Sequence, residues 1–194
     1  MVSDDSRRPT DRDGFRFRGG HIALDLTATL AGRGKAEPRE LLASTADLLR
    51  WLESAGLRAG EAKDADLQVA HHLREAIYGL AVARIARADQ PVAREILNQV
   101  ASPAPALPRL NPDGSIGLSG SAAAMLSTIA REAIALFGGS HADHIRQCEA
   151  DGCPLLFVDN SRRGDRRWCS MAGCGNRAKL ADFRRRRREE HVAS

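Results

Sequence analysis

Four cysteines constrain this chain more than any other feature, and all lie in its last quarter: Cys148, Cys153, Cys169 and Cys174. Their spacing, C-x4-C-x15-C-x4-C, makes two short pairs separated by a stretch long enough for a hairpin. Four thiolates so arranged can meet at one tetrahedral point, which is the donor set of structural zinc. A module of about 45 residues buries too little surface to fold by hydrophobicity alone, and a metal can supply the deficit. Four protein ligands leave no open position for a substrate or an activated water, so the spacing predicts one structural zinc ion and no zinc catalysis. A disulfide pair or a redox switch is the rival chemistry for the same thiols. His141 and His144, just upstream at an i, i+3 spacing, could replace a cysteine in the shell or stand solvated at a helix end.

Charge is concentrated on the same end. Residues 146–194 hold 12 Lys+Arg against 7 Asp+Glu, whereas the preceding 145 hold 17 against 18. A zinc with four thiolates adds about −2 locally, which reduces this excess without cancelling it. Arg162, Arg163, Arg166 and Arg167 cluster in the second half of the cysteine interval, and Arg184, Arg185, Arg186, Arg187 and Arg188 form an unbroken run. Guanidinium forks clamp phosphate, so a zinc staple dressed in arginine makes nucleic acid the first partner to consider. The bland alternative is a solvated helix tail softened by Glu189 and Glu190. An unbroken run covers every face of a helix and cannot read bases selectively. Trp168 reads as a packing residue against the zinc knuckle, ahead of a base-stacking platform.

Periodicity organises the rest. Residues 1–13 are polar and aperiodic and read as a disordered leader. FRFRGGHIALDLTATL alternates, with Ile22, Leu24 and Leu26 on one face, which predicts two short strands turning at Gly19-Gly20. Ser44 to Asp47 resembles a capping box for a helix carrying Leu48, Leu49 and Leu52 and stopping at Gly56. Leu67, Ala70, Leu73, Ile77, Leu80 and Ile85 sustain the longest helix, and Pro91 opens a shorter one. Asn111-Pro112-Asp113-Gly114 has turn chemistry, suggesting a hairpin or an ordered loop, and Ser121 caps a further helix ending at Gly138-Gly139. In the cysteine segment, Leu155–Val158 and Arg166–Trp168 read as two strands joined by residues 160–165, followed by a helix from Asn176. The order knuckle, hairpin, knuckle, helix is treble-clef-like. The fold class expected is α+β: a mainly helical N-terminal domain with a few short strands, plus a C-terminal treble-clef-like zinc finger.

No stretch approaches the roughly 18 to 20 apolar residues needed to span a bilayer, and the N-terminus lacks a secretory core, so the expectation is a cytoplasmic protein with no membrane role. Its Ala- and Arg-rich composition suggests a GC-rich bacterial coding bias.

The residues RRWCSMAGCGNRAK, with Cys174-Gly175-Asn176-Arg177 at their centre, resemble the CGNR zinc-finger family from Cys148 to about Arg187, including FVDNSR and all four cysteines. Upstream, GGHIALDL followed by ELLASTADLLRWLESAGL is similar to the ABATE domain usually paired with that finger. The resemblance implies a bacterial stress-induced transcription regulator with a ligand-sensing N-terminal domain and a zinc- and DNA-binding C-terminal one. The organisation expected is a leader over 1–13, an ABATE-like sensing or dimerisation domain over 14–140, and a CGNR-type module over 141–194.

The leading reading is a regulator, not an enzyme. Its finger contacts DNA through Arg162, Arg163, Arg166, Arg167, Arg177, Lys179 and the terminal arginines, and its helical domain binds a small-molecule effector or forms a homodimer. His21 and Asp25 are the candidate ligand-binding pair, although Asp25 could simply accept backbone N–H bonds. An enzymatic N-terminal domain would have only His21, Asp25, His71, His72 and Glu75 to work with. An RNA- or protein-binding finger is the remaining alternative.

Overall fold

The computed structural model describes the backbone of residues 11–192 and side chains through residue 188. Of the expected leader, residues 1–10 lie outside the described residues. Its last residues are structured: β1 (Asp11–Arg12) pairs antiparallel with β2 (Phe15–Arg16). Asp13 and Gly14, at φ 52° and 81°, form the two-residue turn between them. Both sit in the left-handed region that a primed hairpin turn demands, which is why Asp-Gly suits the site.

The strand expected over Ile22–Leu26 is a helix instead, α1 (Ile22–Thr27). Alternation misleads here because Ala23 through Thr27 are all buried, so there is no solvent face for a period of two to report. Local bonds start the helix. His21 Nδ1 accepts from the Ala23 N–H at 3.3 Å, and the buried Asp25 carboxylate accepts from the Gly19 N–H at 2.7 Å. Gly19-Gly20 therefore does not join two strands. Gly19 lies so close to α1 that a Cβ there would stand 2.8 Å from Leu24 Cβ.

Downstream, β3 (Leu30–Ala31) pairs with β4 (Arg39–Glu40). Helix α2 (Thr45–Ser54) begins at Ser44, whose hydroxyl accepts from the Asp47 N–H as the capping pattern predicts. It buries Leu48, Trp51 and Leu52, with Trp51 stacked on Phe17 at 6.0 Å between ring centres. β5 (Arg58–Ala59) follows, and then α3 (Asp64–Ala86), the long axial helix. It ends at Arg87, in the left-handed region at φ 55°. α4 (Pro91–Ala101) starts with proline in its first turn, and α5 (Ala122–Gly138) is capped by Ser121. Helices α1, α3, α4 and α5 pack together around Leu24, Leu73, Ile77, Leu97, Leu126 and Ile129. Between α4 and α5, the hairpin β6 (Leu107–Leu110) and β7 (Ile116–Gly120) forms as expected, with β5 added parallel to β7.

β8 (Ile145–Gln147) and β9 (Leu156–Val158) then pair antiparallel. This corrects the expected hairpin: 156–158 is a strand, but its partner lies before Cys148, and Arg166–Trp168 is not a strand. Leu156 and Val158 face the main core with Ile145, while Leu155 and Phe157 face the cysteines. The chain closes with a wide turn over Met171–Gly175 and α6 (Asn176–Val192). The class is α+β, a mainly helical N-terminal part with small sheets and a C-terminal zinc-finger module in which four cysteines cluster. No helix among the described residues is long and apolar enough to cross a membrane.

Candidate metal centre

The two cysteine pairs are set by backbone turns. Cys148 extends the β8–β9 ladder through its N–H to the Leu155 carbonyl at 2.9 Å. The chain then folds over Gly152, at φ 66°, so that the Cys153 N–H reaches the Ala150 carbonyl at 3.0 Å. On the other side, the Ser170 hydroxyl accepts from the Gly173 N–H at 3.2 Å and its carbonyl accepts from the Gly175 N–H at 2.9 Å. That turn delivers Cys174 to the start of α6, where the helix dipole favours a thiolate.

All four sulfurs lie within 4.8 Å of one another. Cys153 and Cys169 are 3.9 Å apart, and Cys169 and Cys174 are 3.6 Å apart. A tetrahedron with zinc–sulfur bonds of about 2.3 Å has edges of roughly 3.8 Å, so the cluster has the size of a zinc shell. Cys148, Cys169 and Cys174 are buried, and Cys153 is half-buried. Backbone and cationic donors point at the sulfurs: the Cys169 N–H at Cys148 Sγ (3.4 Å) and Arg177 Nη2 at Cys174 Sγ (3.0 Å).

The electrostatics ask for a cation. Hydrogen bonding from Cys169 draws the Cys153 thiol down to about 5. The same contact, then burial, pushes Cys169 up, and burial pushes Cys148 up. Like charges this close cannot all ionise without a cation among them. A divalent soft ion relieves that conflict. The donor set, its size and its burial fit a single structural zinc held by Cys148, Cys153, Cys169 and Cys174. Among the described residues, these cysteines are the group that converges on one point. His141 and His144 stand apart from it, with their rings edge to face at 5.9 Å.

The arginines divide into two sets. Arg162 and Arg163 are exposed on the loop over 160–165, and Lys179 and Arg184 through Arg188 are exposed on α6. Arg185 pairs with Asp182 at 3.0 Å, and the Arg187 guanidinium sits 6.0 Å from the Phe183 ring centre. Arg166 faces inward. It donates from Nε to the Trp168 carbonyl at 2.8 Å and from Nη2 to the Cys169 carbonyl, and it stacks on Phe157 at 4.5 Å. Arg167 pairs with Glu149, and Arg177 is turned to Cys174. Trp168 packs against the cysteine cluster.

Asp159, which the sequence reading passed over, organises this loop. Its buried carboxylate accepts from the Ser161 and Arg166 N–H groups, both at 2.9 Å. Burial pushes this carboxyl up, but hydrogen bonding from the Ser161 hydroxyl, with the Ser161 and Arg166 N–H groups, outweighs it and holds it below the usual range. The signal was available in FVDNSR, where an Asp two residues before a Ser is a common side-chain turn.

The candidate N-terminal residues take separate partners. His21 caps α1 with Nδ1 and places Nε2 3.8 Å from Glu132. Burial lowers its imidazole's proton affinity. Asp25 accepts from Gly19. His71 Nε2 lies 2.9 Å from the Leu42 carbonyl, and His72 is exposed. Glu75 takes both guanidinium nitrogens of Arg33, at 2.6 and 2.8 Å, and also the Nε of buried Arg74. Arg74 in turn holds Glu40 through two bonds at 2.6 and 2.7 Å. This ladder, which clamps the β3–β4 hairpin to α3, was not read from the sequence because its members lie far apart along the chain. A cleft beside Cys153, lined by Arg16, Thr27, Leu30, Arg33 and Pro154, has a volume of about 20 Å³. That is room for about one water.

Two family models match the chain. One, described as "Putative stress-induced transcription regulator" (ABATE), covers residues 20–140, and the CGNR zinc finger covers residues 144–187. No curated protein matches it.

Proposed function

We propose, for a chain that belongs to the ABATE family and carries a CGNR zinc finger, that it regulates transcription by binding duplex DNA through the basic surface its zinc holds in place. A zinc-finger regulatory protein is what the two matches support directly; the DNA contact is our reading. The observation that carries it is α6. This helix starts two residues after a metal ligand, and Lys179 and Arg184–Arg188 stand exposed along it. Arg162 and Arg163 add two exposed cations on the loop over 160–165. Arg166 and Arg177 act one step back in this reading, fixing the knuckle and its charge, and Arg167 shares its charge with Glu149. The N-terminal helical part serves as the sensing or dimerising partner, responding to stress or to a ligand, in a cytoplasm that keeps the thiols reduced. Asp25 and His21 serve there as helix-start residues. No step of this reading requires catalysis.

Each phosphate neutralised on a duplex contributes a slope of about −0.9 in log K against log salt. The full-length, zinc-loaded protein is expected to bind duplex DNA at low salt with a slope of several units. Replacing Arg184–Arg188 with Gln should flatten that slope while zinc is retained. Absence of duplex binding at 50 mM salt would sink the reading. Leu180 and Phe183, more than half exposed on the same helix, favour protein docking as the second reading, and a parallel titration with structured RNA separates the third.

A further inference from the structure

Arg18 precedes both matched stretches, yet its side chain reaches the second knuckle of the metal centre. Asp11 grips it from behind, with Nε to Oδ1 at 3.0 Å and Nη2 to Oδ2 at 2.6 Å. Nη1 is set against the turn that carries Cys174, 3.2 Å from where a Cβ on residue 173 would stand. A Cβ at 173 would stand closer than usual to the guanidinium. The Arg18 side chain is 20% exposed, so its charge acts with limited screening. Burial opposes that charge, but the hydrogen bond and charge of Asp11, with the charges of Cys169 and Cys174, outweigh it and hold the guanidinium above its usual range.

A zinc ion in four thiolates carries a net charge of about −2. Burying such a charge is costly unless cations and N–H donors around it compensate. Arg177 meets Cys174 from the α6 side. We propose that Arg18, aimed by Asp11 and sharing its charge with it, is a second compensating donor of this centre, a positioning residue that ties the N-terminal hairpin β1–β2 to the finger. The zinc is then held by residues from both ends of the chain. The CGNR-matched segment alone lacks part of its own charge balance. This inference rests on the metal and not on the DNA reading.

The test uses the full-length, zinc-loaded protein and the variants Arg18→Gln, Arg18→Met and Arg18→Lys. Transfer of zinc to a strong chelator at fixed pH should be about 10-fold faster in the two neutral variants, as for other outer-shell substitutions. Arg18→Lys, which keeps the charge, should stay close to the parent. In the cobalt-substituted protein, the thiolate-to-metal charge-transfer band should move to lower energy in Arg18→Gln and Arg18→Met, because removing a cation raises the thiolate lone pairs. A role in packing alone would not move that band. Parent-like release and an unmoved band in the neutral variants would overturn the proposal. If the neutral variants do not fold, Arg18→Lys decides: parent-like retention supports the charge role, and zinc loss overturns it.

Discussion

The helical region and the finger solve the same problem by different means. Around α3, apolar side chains suffice: Leu24, Trp51, Leu73, Ile77, Met125 and Leu126 are fully buried. Around the cysteines, the buried set shrinks to a handful led by Phe157, and four thiolates do what a larger core would do elsewhere. The regions nevertheless share a wall. β9 sends Leu156 and Val158 one way and Phe157 the other, so a single strand's alternation serves two cores. The finger is thus chemically distinct from the helical region without being physically separate from it.

The sharpest way to break this comparison is to remove the metal. Structural zinc contributes on the order of 10 kcal/mol in such modules. Chelation should abolish amide protection across 148–175 while α3 keeps its own, as hydrogen exchange would reveal. Loss of protection in α3 as well would mean that the shared strand makes one cooperative unit of both regions.

Core truncations come next, at about 3–5 kcal/mol each for a buried aromatic changed to alanine. Trp51→Ala should lower the thermal midpoint while leaving the zinc content intact. Phe157→Ala should lower zinc retention as well. Equal zinc content in the two variants would erase the distinction.

The ion-pair ladder offers a smaller, pH-dependent contrast. In Glu40, burial pushes the carboxyl up, but Arg74 prevails and holds it below its ordinary value of 4.5. A carboxyl so depressed stabilises the fold above its unfolded value, and the contribution fades as pH falls below about 4.5. Glu40→Gln should cost about 2 kcal/mol at neutral pH, less than for a fully buried pair because Glu40 is 30% exposed. It should also flatten the acid limb of a stability-versus-pH curve of the helical region. An unchanged limb would show that the ladder carries no net stability.

The smallest expected effect is on the exposed loop. Arg162→Ala and Arg163→Ala should change stability by less than about 0.5 kcal/mol, yet each should reduce the salt slope of DNA binding by up to about 1. A larger stability loss would place these residues with Arg166, inside the finger's own framework.

What could be read from the chain follows the range of the interactions involved. The cysteine spacing, the helices over 45–54, 64–86, 91–101 and 122–138, and the hairpin around Asn111–Ser115 are local patterns, and their turns and caps are written in neighbouring residues. Ala23 through Thr27 are all buried, and there periodicity carries no sign of which element forms. The partner of Leu156–Val158 is not legible in neighbouring residues because strand pairing is a long-range choice. Ile145 offers that strand the main core as well as a ladder, whereas the expected partner segment begins with Arg166, a residue whose side chain is turned back onto Phe157 and the knuckle carbonyls.

The sequence by itself determined the zinc, the spacing of four cysteines that fit it and the placement of positive charge at one end, because donor chemistry and spacing are local properties. Only the tertiary structure decided which arginines face solvent, which ones brace the knuckle, and that Arg18 reaches the turn at Gly173 from the far end of the chain. A guanidinium's role depends on what lies within a few ångströms of it, and that neighbourhood exists only once the chain has folded.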